Sequence, residues 1–143
     1  MSHKLENLFP TVIENAEDMV SFGNTIAANF KLGDVVALVG NLGAGKTHLT
    51  QGIARHFNYT DPVTSPTFGL IHEYAPSPII HADLYRMEKC EELLSIGWED
   101  YLEREAILVV EWADRFPELM PENTHWIKIE HCEQGRNLSY ALF

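Results

Sequence analysis

Residues 35 to 47 read Val35-Val36-Ala37-Leu38-Val39-Gly40-Asn41-Leu42-Gly43-Ala44-Gly45-Lys46-Thr47. An apolar, β-branched run leads directly into the pattern G-x-x-x-x-G-K-T, and residues 48 to 57 behind it have the composition of a helix. A strand, a glycine-rich turn and a helix in this order form the context that a phosphate-binding loop requires. The stretch therefore predicts a P-loop at the carboxyl end of a buried strand.

The residue types in this loop suit a nucleoside triphosphate. Gly40, Gly43 and Gly45 allow positive φ and a close approach of the backbone to phosphate, so that successive N–H groups and the helix N-terminus form an anion site. We expect Lys46 to reach the β- and γ-phosphates and the Thr47 hydroxyl to bind Mg²⁺. The pattern does not identify the base.

Length and composition are those of a small globular protein. The chain has 143 residues, of which 45% are hydrophobic and 22% are charged, so we expect a single domain over residues 1–143. No apolar run approaches the ~20 residues of a membrane span, and residues 1–7 lack the apolar centre of a signal peptide. We therefore expect a cytoplasmic protein that makes no contact with a membrane.

The charge balance argues against an autonomous nucleic-acid binder. The 21 acidic and 10 basic residues give a formal net charge of -11, and the lysines and arginines form no cluster that could neutralise a row of phosphates. If the protein serves a nucleic acid, we expect a partner to hold that nucleic acid. The seven histidines and the two cysteines, Cys90 and Cys132, lack metal-ligand spacing, so we interpret both cysteines as reduced thiols.

Two further apolar runs end in a carboxylate. One is Ile79-Ile80-His81-Ala82 followed by Asp83, and the other is Ala106-Ile107-Leu108-Val109-Val110 followed by Glu111, which is the Walker B pattern. Parallel strands end at the edge where open α/β sheets bind ligands, so either acid could hold Mg²⁺ or orient an attacking water. On these residues alone, Asp83 could equally be a helix cap or form a strand-end salt bridge with Arg86.

Two other features, residues 65–67 and Trp112, could have either a functional or a purely structural role. Ser65 and Thr67 flank Pro66, and their hydroxyls could contact a phosphate as switch loops do, although the composition alone favours an ordinary turn. Trp112 follows Glu111 and could stack on a ligand, although packing is the more frequent role of a single tryptophan.

The remaining segments complete an α/β pattern. We predict a helix from about Ala16 to Phe30 behind an Asn15 cap, a strand over residues 68–74, helical structure from Met87 to Leu102 that breaks at Gly97, and a C-terminal hairpin that closes one edge of the sheet. The predicted fold class is α/β, a P-loop NTPase-like three-layer fold. Its central sheet is mixed and mainly parallel, with antiparallel edge strands that include the hairpin.

Four motifs in this order resemble one family. They are Gly40 to Thr47, Ser65-Pro66-Thr67-Phe68, His81-Ala82-Asp83-Leu84-Tyr85-Arg86, and Glu111-Trp112. Together they are similar to the TsaE (YjeE) ATPases of bacterial tRNA threonylcarbamoyladenosine biosynthesis, over nearly the whole chain. The resemblance implies a subunit that binds and hydrolyses ATP and works with two partner proteins, TsaB and TsaD. TsaD transfers the threonylcarbamoyl group to the adenosine beside the anticodon, and tRNA would be reached only through the complex.

The resemblance also implies a role for individual residues. It makes Lys46, Asp83 and Glu111 the catalytic residues and Thr47, Asp83 and Glu111 the Mg²⁺ site, and it favours a switch role for the segment around Ser65 and Thr67 and a place beside the nucleotide for Trp112. Asn41 and His48 depart from the usual family residues, but at variable positions, so the expectation of ATP binding is unchanged while its affinity could differ. The implied nucleotide contacts in the loop are Asn41, Leu42, Gly43, Ala44, Gly45, Lys46, Thr47 and His48.

Other readings of the same loop stay open at this stage. A small-molecule kinase would need an acceptor pocket and lid arginines, whereas the five arginines here are widely spread. A nucleotide-dependent binding module without hydrolysis shares all of these parts. A GTPase is disfavoured because the chain has no N-K-x-D segment to recognise guanine. Which of Asp83 and Glu111 would position the water is also open.

Overall fold

The structure is a computed structural model that describes residues 5–40, 45–63 and 70–141. Among these residues no helix is both long and apolar enough to cross a membrane. Short 3₁₀ turns cover Leu5–Leu8, Ala113–Arg115 and Pro117–Leu119. The strands and α-helices in chain order are β1 (Thr11–Ile13), α1 (Ala16–Ala27), β2 (Val35–Val39), α2 (Lys46–His56), β3 (Ile71–Glu73), β4 (Ile79–Asp83), α3 (Cys90–Ser95), α4 (Trp98–Glu103), β5 (Ile107–Glu111), β6 (His125–Cys132) and β7 (Gly135–Ala141).

The described strands form one mixed sheet in the order β1-β7-β6-β2-β5-β4-β3. The four strands from β6 to β4 run parallel to one another, while β3 pairs antiparallel with β4, and β7 pairs antiparallel with both β6 and β1. The predicted fold class is therefore confirmed, including the C-terminal hairpin formed by β6 and β7. This hairpin does not end the sheet, because β1 pairs with β7 outside it.

Helices cover both faces of the sheet. Val36 and Leu38 of β2 point to the face on which α1 and α2 pack, whereas Val35 and Ala37 point to the face covered by α3, α4 and the two 3₁₀ turns that follow β5. All five residues of β5 are buried, since strands with a helical layer on each side lose their polar face. The two apolar clusters place β2 and β5 at the centre of the molecule.

A close helix crossing holds α2 in place. Gly23 of α1 and Gly52 of α2 face each other, and a Cβ atom at Gly52 would overlap the carbonyl oxygen of Val20. The backbones can approach this closely only because neither residue has a side chain. The crossing therefore fixes the position of α2 and of the lysine at its first turn.

Each helix lies where it was predicted, but several helix ends differ by up to three residues; the helical structure predicted from Met87, for example, begins at Cys90. Asn15 caps α1 by accepting a 2.8 Å hydrogen bond from the Asp18 backbone N–H, and the break between α3 and α4 falls at Gly97, whose φ is 87°. Helix α1 ends at Ala27 rather than Phe30. Phe30 is nevertheless buried in the core beneath the helix end, which is why the apolar spacing continued beyond the last turn.

Candidate functional site

The carboxyl ends of the central strands bring the predicted site residues together. Asp83 ends β4 and Glu111 ends β5, and the two residues are direct neighbours in the parallel register. Glu111 is also the neighbour of Leu38 in β2, from which the chain leads to α2 and Lys46. The prediction that both acids lie at the ligand-binding edge of the sheet is thus consistent with the topology.

Lys46 lies at the centre of this edge. Its side chain is 5% exposed, and Nζ donates a 2.8 Å hydrogen bond to the Gly40 carbonyl oxygen and lies 3.5 Å from Glu111 Oε1. Nζ also lies 4.9 Å from the centre of the Trp112 ring. Gly45 precedes the helix with a φ of 104°, a conformation that suits glycine. The turn at Gly45 thereby directs the first residue of α2 toward the strand ends.

Glu111 has a second partner that the sequence analysis did not assign. Its Oε2 lies 2.6 Å from His81 Nε2, and the other ring nitrogen of His81 lies 3.1 Å from the Tyr74 hydroxyl. His81 is fully buried, Tyr74 is 5% exposed and Glu111 is 5% exposed. The signal that could have identified His81 is strand alternation, which puts residues 79, 81 and 83 on one face of β4 and hence beside Glu111.

The two neighbouring carboxyl groups have pKa values that are shifted in opposite directions. Burial alone would raise the pKa of Glu111, but the hydrogen bond and charge of His81, with the charge of Lys46, lower it below the ordinary range. Burial raises the pKa of Asp83, and the charge of Glu111 adds to this increase, while a hydrogen bond from the Tyr85 backbone N–H partly opposes it. Of the two acids, Glu111 is therefore the one that this environment holds ionised most firmly.

This difference predicts how Asp83 affects stability in the absence of ligand. A raised pKa in the folded state means that the ionised carboxylate of Asp83 opposes folding at neutral pH, and that this penalty disappears below the pKa of the unfolded chain, near pH 4. Asp83→Asn keeps the acceptor for Tyr85 N–H and removes the charge. We expect the melting temperature of the variant to exceed that of the wild type by about 1 to 3 °C at pH 7 in EDTA. Differential scanning calorimetry at pH 7 and pH 4 tests this, and a variant that is less stable at pH 7 would contradict it.

Trp112 adopts a conformation that is rare for a bulky residue. Its φ is 64°, and its half-buried ring contacts Tyr85, 5.1 Å away between ring centres, and the Arg115 guanidinium at 5.0 Å. Left-handed backbone at a non-glycine residue costs free energy, so the surrounding contacts must hold it. The ring thus lies beside Lys46 while it packs against the apolar cluster on the α3 and α4 face.

The described residues line two clefts at this edge of the sheet, one on each face. The cleft on the α1 and α2 face has a volume of about 340 Å³. Its lining residues are Ile13, Glu14, Asn15, Ala16, Met19, Gly45, Lys46, Thr47, His48, Glu111 and Arg136. The cleft on the other face measures about 370 Å³. Its lining residues are Val39, Gly40, Trp112, Asp114, Lys128, Ile129, Glu130 and His131. Lys46 and Glu111 belong to the first cleft and Trp112 to the second.

The oxygen donors at this edge suit magnesium better than a softer metal. In the described ranges, no three His, Cys, Asp or Glu side chains form a group that could hold a metal by themselves. Mg²⁺ is usually held by one or two carboxylates together with waters and substrate phosphates, so a site built from Thr47, Asp83 and Glu111 fits that ion only with a phosphate ligand present.

Several predicted residues fall in segments that the structure does not describe. Asn41, Leu42, Gly43 and Ala44 of the loop, and Ser65 and Thr67 of the predicted switch segment, lie outside the described residues. Their roles stay predictions. The described part of the loop consists of its first glycine, Gly40, and its last residues, Gly45 to Thr47.

Comparison with known proteins agrees with this arrangement. The family model for the threonylcarbamoyl adenosine biosynthesis protein TsaE matches residues 13–138. The tRNA threonylcarbamoyladenosine biosynthesis protein TsaE of Bacillus subtilis is 39% identical over 130 residues, which are 89% of this chain and 81% of that protein. The TsaE protein of a Nostoc species is 36% identical over 118 residues, 79% of this chain and 73% of the relative.

A solved structure has the same fold. The crystal structure of YdiB from Bacillus subtilis superposes with a TM-score of 0.76 at 29% sequence identity, and the match covers 94% of this chain and 86% of that one. Because the family match spans most of the chain and the relatives align over most of their own length, the chain belongs to the TsaE family.

Proposed function

We propose that this protein binds and hydrolyses Mg-ATP as an accessory subunit in tRNA threonylcarbamoyladenosine biosynthesis, together with TsaB and TsaD. The observation that carries the proposal is the meeting of Lys46, at the first turn of α2, with Glu111, at the end of the central strand β5. A buried cation and a strand-end carboxylate at the carboxyl edge of parallel strands are the parts that P-loop ATPases share.

Each charged side chain has a separate role in this proposal. Lys46 binds the β- and γ-phosphates and neutralises the charge that develops on the transferred group. Magnesium, when bound, would neutralise further phosphate charge. Thr47 and Asp83 contribute oxygen ligands to that ion, and Glu111 orients the attacking water.

The opposed pKa shifts support this division between the two acids. The pKa of Glu111 is lowered despite its burial, which favours the ionised carboxylate, an acceptor for a hydrogen bond from water. Burial, and with it the neighbouring charge of Glu111, raises the pKa of Asp83 in the protein alone. A divalent cation would compensate the charge of the carboxylate, which favours Asp83 as the metal ligand.

The overall charge supports a role that depends on partners. With a net charge of -11 the chain is a poor binder of tRNA by itself but suits docking on a basic protein surface. A partner that supplies a stabilising arginine can be worth about 10³- to 10⁵-fold in rate for P-loop enzymes. We therefore expect slow hydrolysis by the isolated chain and a large stimulation by the complex.

Replacing Lys46 tests nucleotide binding directly. We expect Lys46→Ala to weaken the binding of Mg-ATP by about 10- to 100-fold, because the substitution removes charge-assisted hydrogen bonds to the phosphates. Isothermal titration calorimetry with Mg-ATP and with Mg-GTP gives the affinity and the base preference. Lys31→Ala is the matched control, since Lys31 is an exposed lysine beyond the other end of β2. Equal affinities for the wild type and Lys46→Ala would overturn the assigned site.

A nucleotide sensor without chemistry is the alternative outcome. If the chain binds Mg-ATP tightly through Lys46 but releases no phosphate with or without TsaB and TsaD, the binding site stands and the proposed hydrolysis fails. In that case the carboxylates would hold the ion without activating water.

A further inference from the structure

A hydrogen-bonded chain leads from the site into the core. Glu111 Oε2 lies 2.6 Å from His81 Nε2, and His81 Nδ1 lies 3.1 Å from the Tyr74 hydroxyl. All three side chains are buried. The proposed hydrolysis uses Glu111 but neither His81 nor Tyr74, so the presence of two polar side chains behind the carboxylate needs a separate explanation.

The ionised carboxylate fixes the direction of one hydrogen bond in this chain. An ionised carboxylate carries no hydrogen, so His81 Nε2 must donate to Glu111. The other ring nitrogen, Nδ1, lies 3.1 Å from the Tyr74 hydroxyl, which can donate to a neutral ring or accept from a charged one. An outer partner of this kind fixes both the tautomer and the plane of a histidine ring. Tyr74 therefore determines how His81 presents its donor to Glu111.

Tyr74 is itself held firmly. Its backbone N–H donates a 3.0 Å hydrogen bond to the Ile79 carbonyl oxygen, and its ring lies 5.0 Å from the ring of Tyr59. Tyr74 belongs to the apolar core beneath α2. Packing and the backbone hydrogen bond therefore hold the Tyr74 ring in place beside His81.

The two oxygens of Glu111 have different neighbours. Oε1 lies 3.5 Å from Lys46 Nζ, which the phosphates of a nucleotide would attract, whereas Oε2 is bound to His81, which is fully buried behind it. We propose that Tyr74 and His81 are positioning residues that keep the Glu111 carboxylate oriented when Lys46 turns to phosphate. This Tyr74–His81 tether rests on the proposed function, because it assumes that Lys46 binds phosphate and that Glu111 orients water.

The tether predicts a loss of turnover without a matching loss of binding. We expect His81→Ala to lower kcat for partner-stimulated ATP hydrolysis by about 10- to 100-fold, as substitution of outer partners of functional groups commonly does. Tyr74→Phe, which keeps the ring and removes the hydroxyl, should lower kcat by about threefold to tenfold. KM for ATP should change by less than about threefold, since the phosphate contacts of Lys46 stay intact.

Conservative and control variants distinguish a positioning role of Tyr74 and His81 from a purely structural one. His81→Gln should recover part of the lost kcat, because the glutamine amide can donate to Glu111. Tyr59→Phe removes a hydroxyl from the neighbouring ring and should leave kcat unchanged. Melting temperatures are measured for every variant. If Tyr74→Phe and His81→Gln lower the melting temperature but turn over at the wild-type rate, the two residues are structural only and the proposal is wrong.

A spectroscopic measurement keeps the tether distinct from the proposed hydrolysis. In the ligand-free chain, ¹⁵N NMR of the histidine rings should show His81 with a proton on Nε2 that exchanges slowly with solvent. Its Nδ1 signal should shift in Tyr74→Phe and stay in place in Tyr59→Phe. If the wild-type chain releases no phosphate with its partners, the proposed hydrolysis is wrong. The NMR signals of His81 then still show whether the Tyr74–His81 tether exists. An Nε2 proton of His81 that exchanges as fast as that of an exposed histidine ring would overturn the tether.

Discussion

Glu111→Gln should lower the rate of phosphate release in the presence of TsaB and TsaD by about 100-fold or more, the range typical for the loss of a positioned acid or base. The substitution keeps the shape of the side chain and its place between Lys46 and His81. It removes the negative charge that orients a water against the γ-phosphate. We expect the affinity for Mg-ATP to change much less than the rate, which is the pattern of an interaction made in the transition state.

Two further variants are measured beside Glu111→Gln. Glu105→Gln, at an exposed acid just before β5, is the matched control and should release phosphate at the wild-type rate. Asp83→Asn should lower the affinity for Mg²⁺ in the nucleotide complex as well as the rate. A Glu111→Gln variant that retains more than about a third of the wild-type rate would show that another group positions the water.

Gly52→Ala should reduce the free energy of unfolding by about 3 kcal/mol, at the upper end of the usual cost of overpacking. A Cβ atom at this position would overlap the Val20 carbonyl oxygen and press against the backbone of Gly23. Backbone atoms cannot rotate away as a flexible side chain can, so α1 and α2 would have to separate. The higher helix propensity of alanine, worth about 1 kcal/mol, offsets only part of this cost.

Urea denaturation followed by circular dichroism measures this effect. Ser21→Ala, on the exposed face of α1, should stay within about 0.5 kcal/mol of the wild type. Because α2 carries Lys46 and Thr47, any folded Gly52→Ala protein should also bind Mg-ATP more weakly. Wild-type stability in Gly52→Ala would mean that the two helices cross less closely than the structure indicates.

The parts of the fold that could be predicted are those with local signals. The buried strands β2 and β5 each appear as an unbroken apolar run, and the α1 cap is a single side chain, Asn15, that binds the backbone three residues later. These features need only neighbours in the sequence. The same holds for the break at Gly97, where a left-handed conformation separates α3 from α4.

The missed features depend on contacts between distant segments. Strand β1 has three residues, too few to show a period, and it exists because Val12 pairs with Asn137 in β7. The hairpin was predicted as a unit, but its place inside the sheet depends on that pairing. The end of α1 was predicted three residues late because Phe30 continues the apolar spacing while it packs beneath the helix end.

The sequence predicted where the site lies but not the hydrogen bonds between its side chains. Two acids at the ends of apolar runs pointed to a shared edge of the sheet, because parallel strands end together. The hydrogen bonds of His81 join residues that are 30 positions apart at Glu111 and 7 positions apart at Tyr74. Strand alternation puts His81 on the same face as Asp83, but its contact with Glu111 can be assigned only once the register of β4 and β5 is known.

The most direct test of the account is phosphate release from Mg-ATP by the wild-type chain and by Lys46→Ala, each measured alone and with purified TsaB and TsaD. We predict slow release by the isolated wild-type chain, an increase of at least about 10³-fold with both partners, and no release above background by Lys46→Ala. Equal rates with and without the partners, or a Lys46→Ala variant as active as the wild type, would contradict the account.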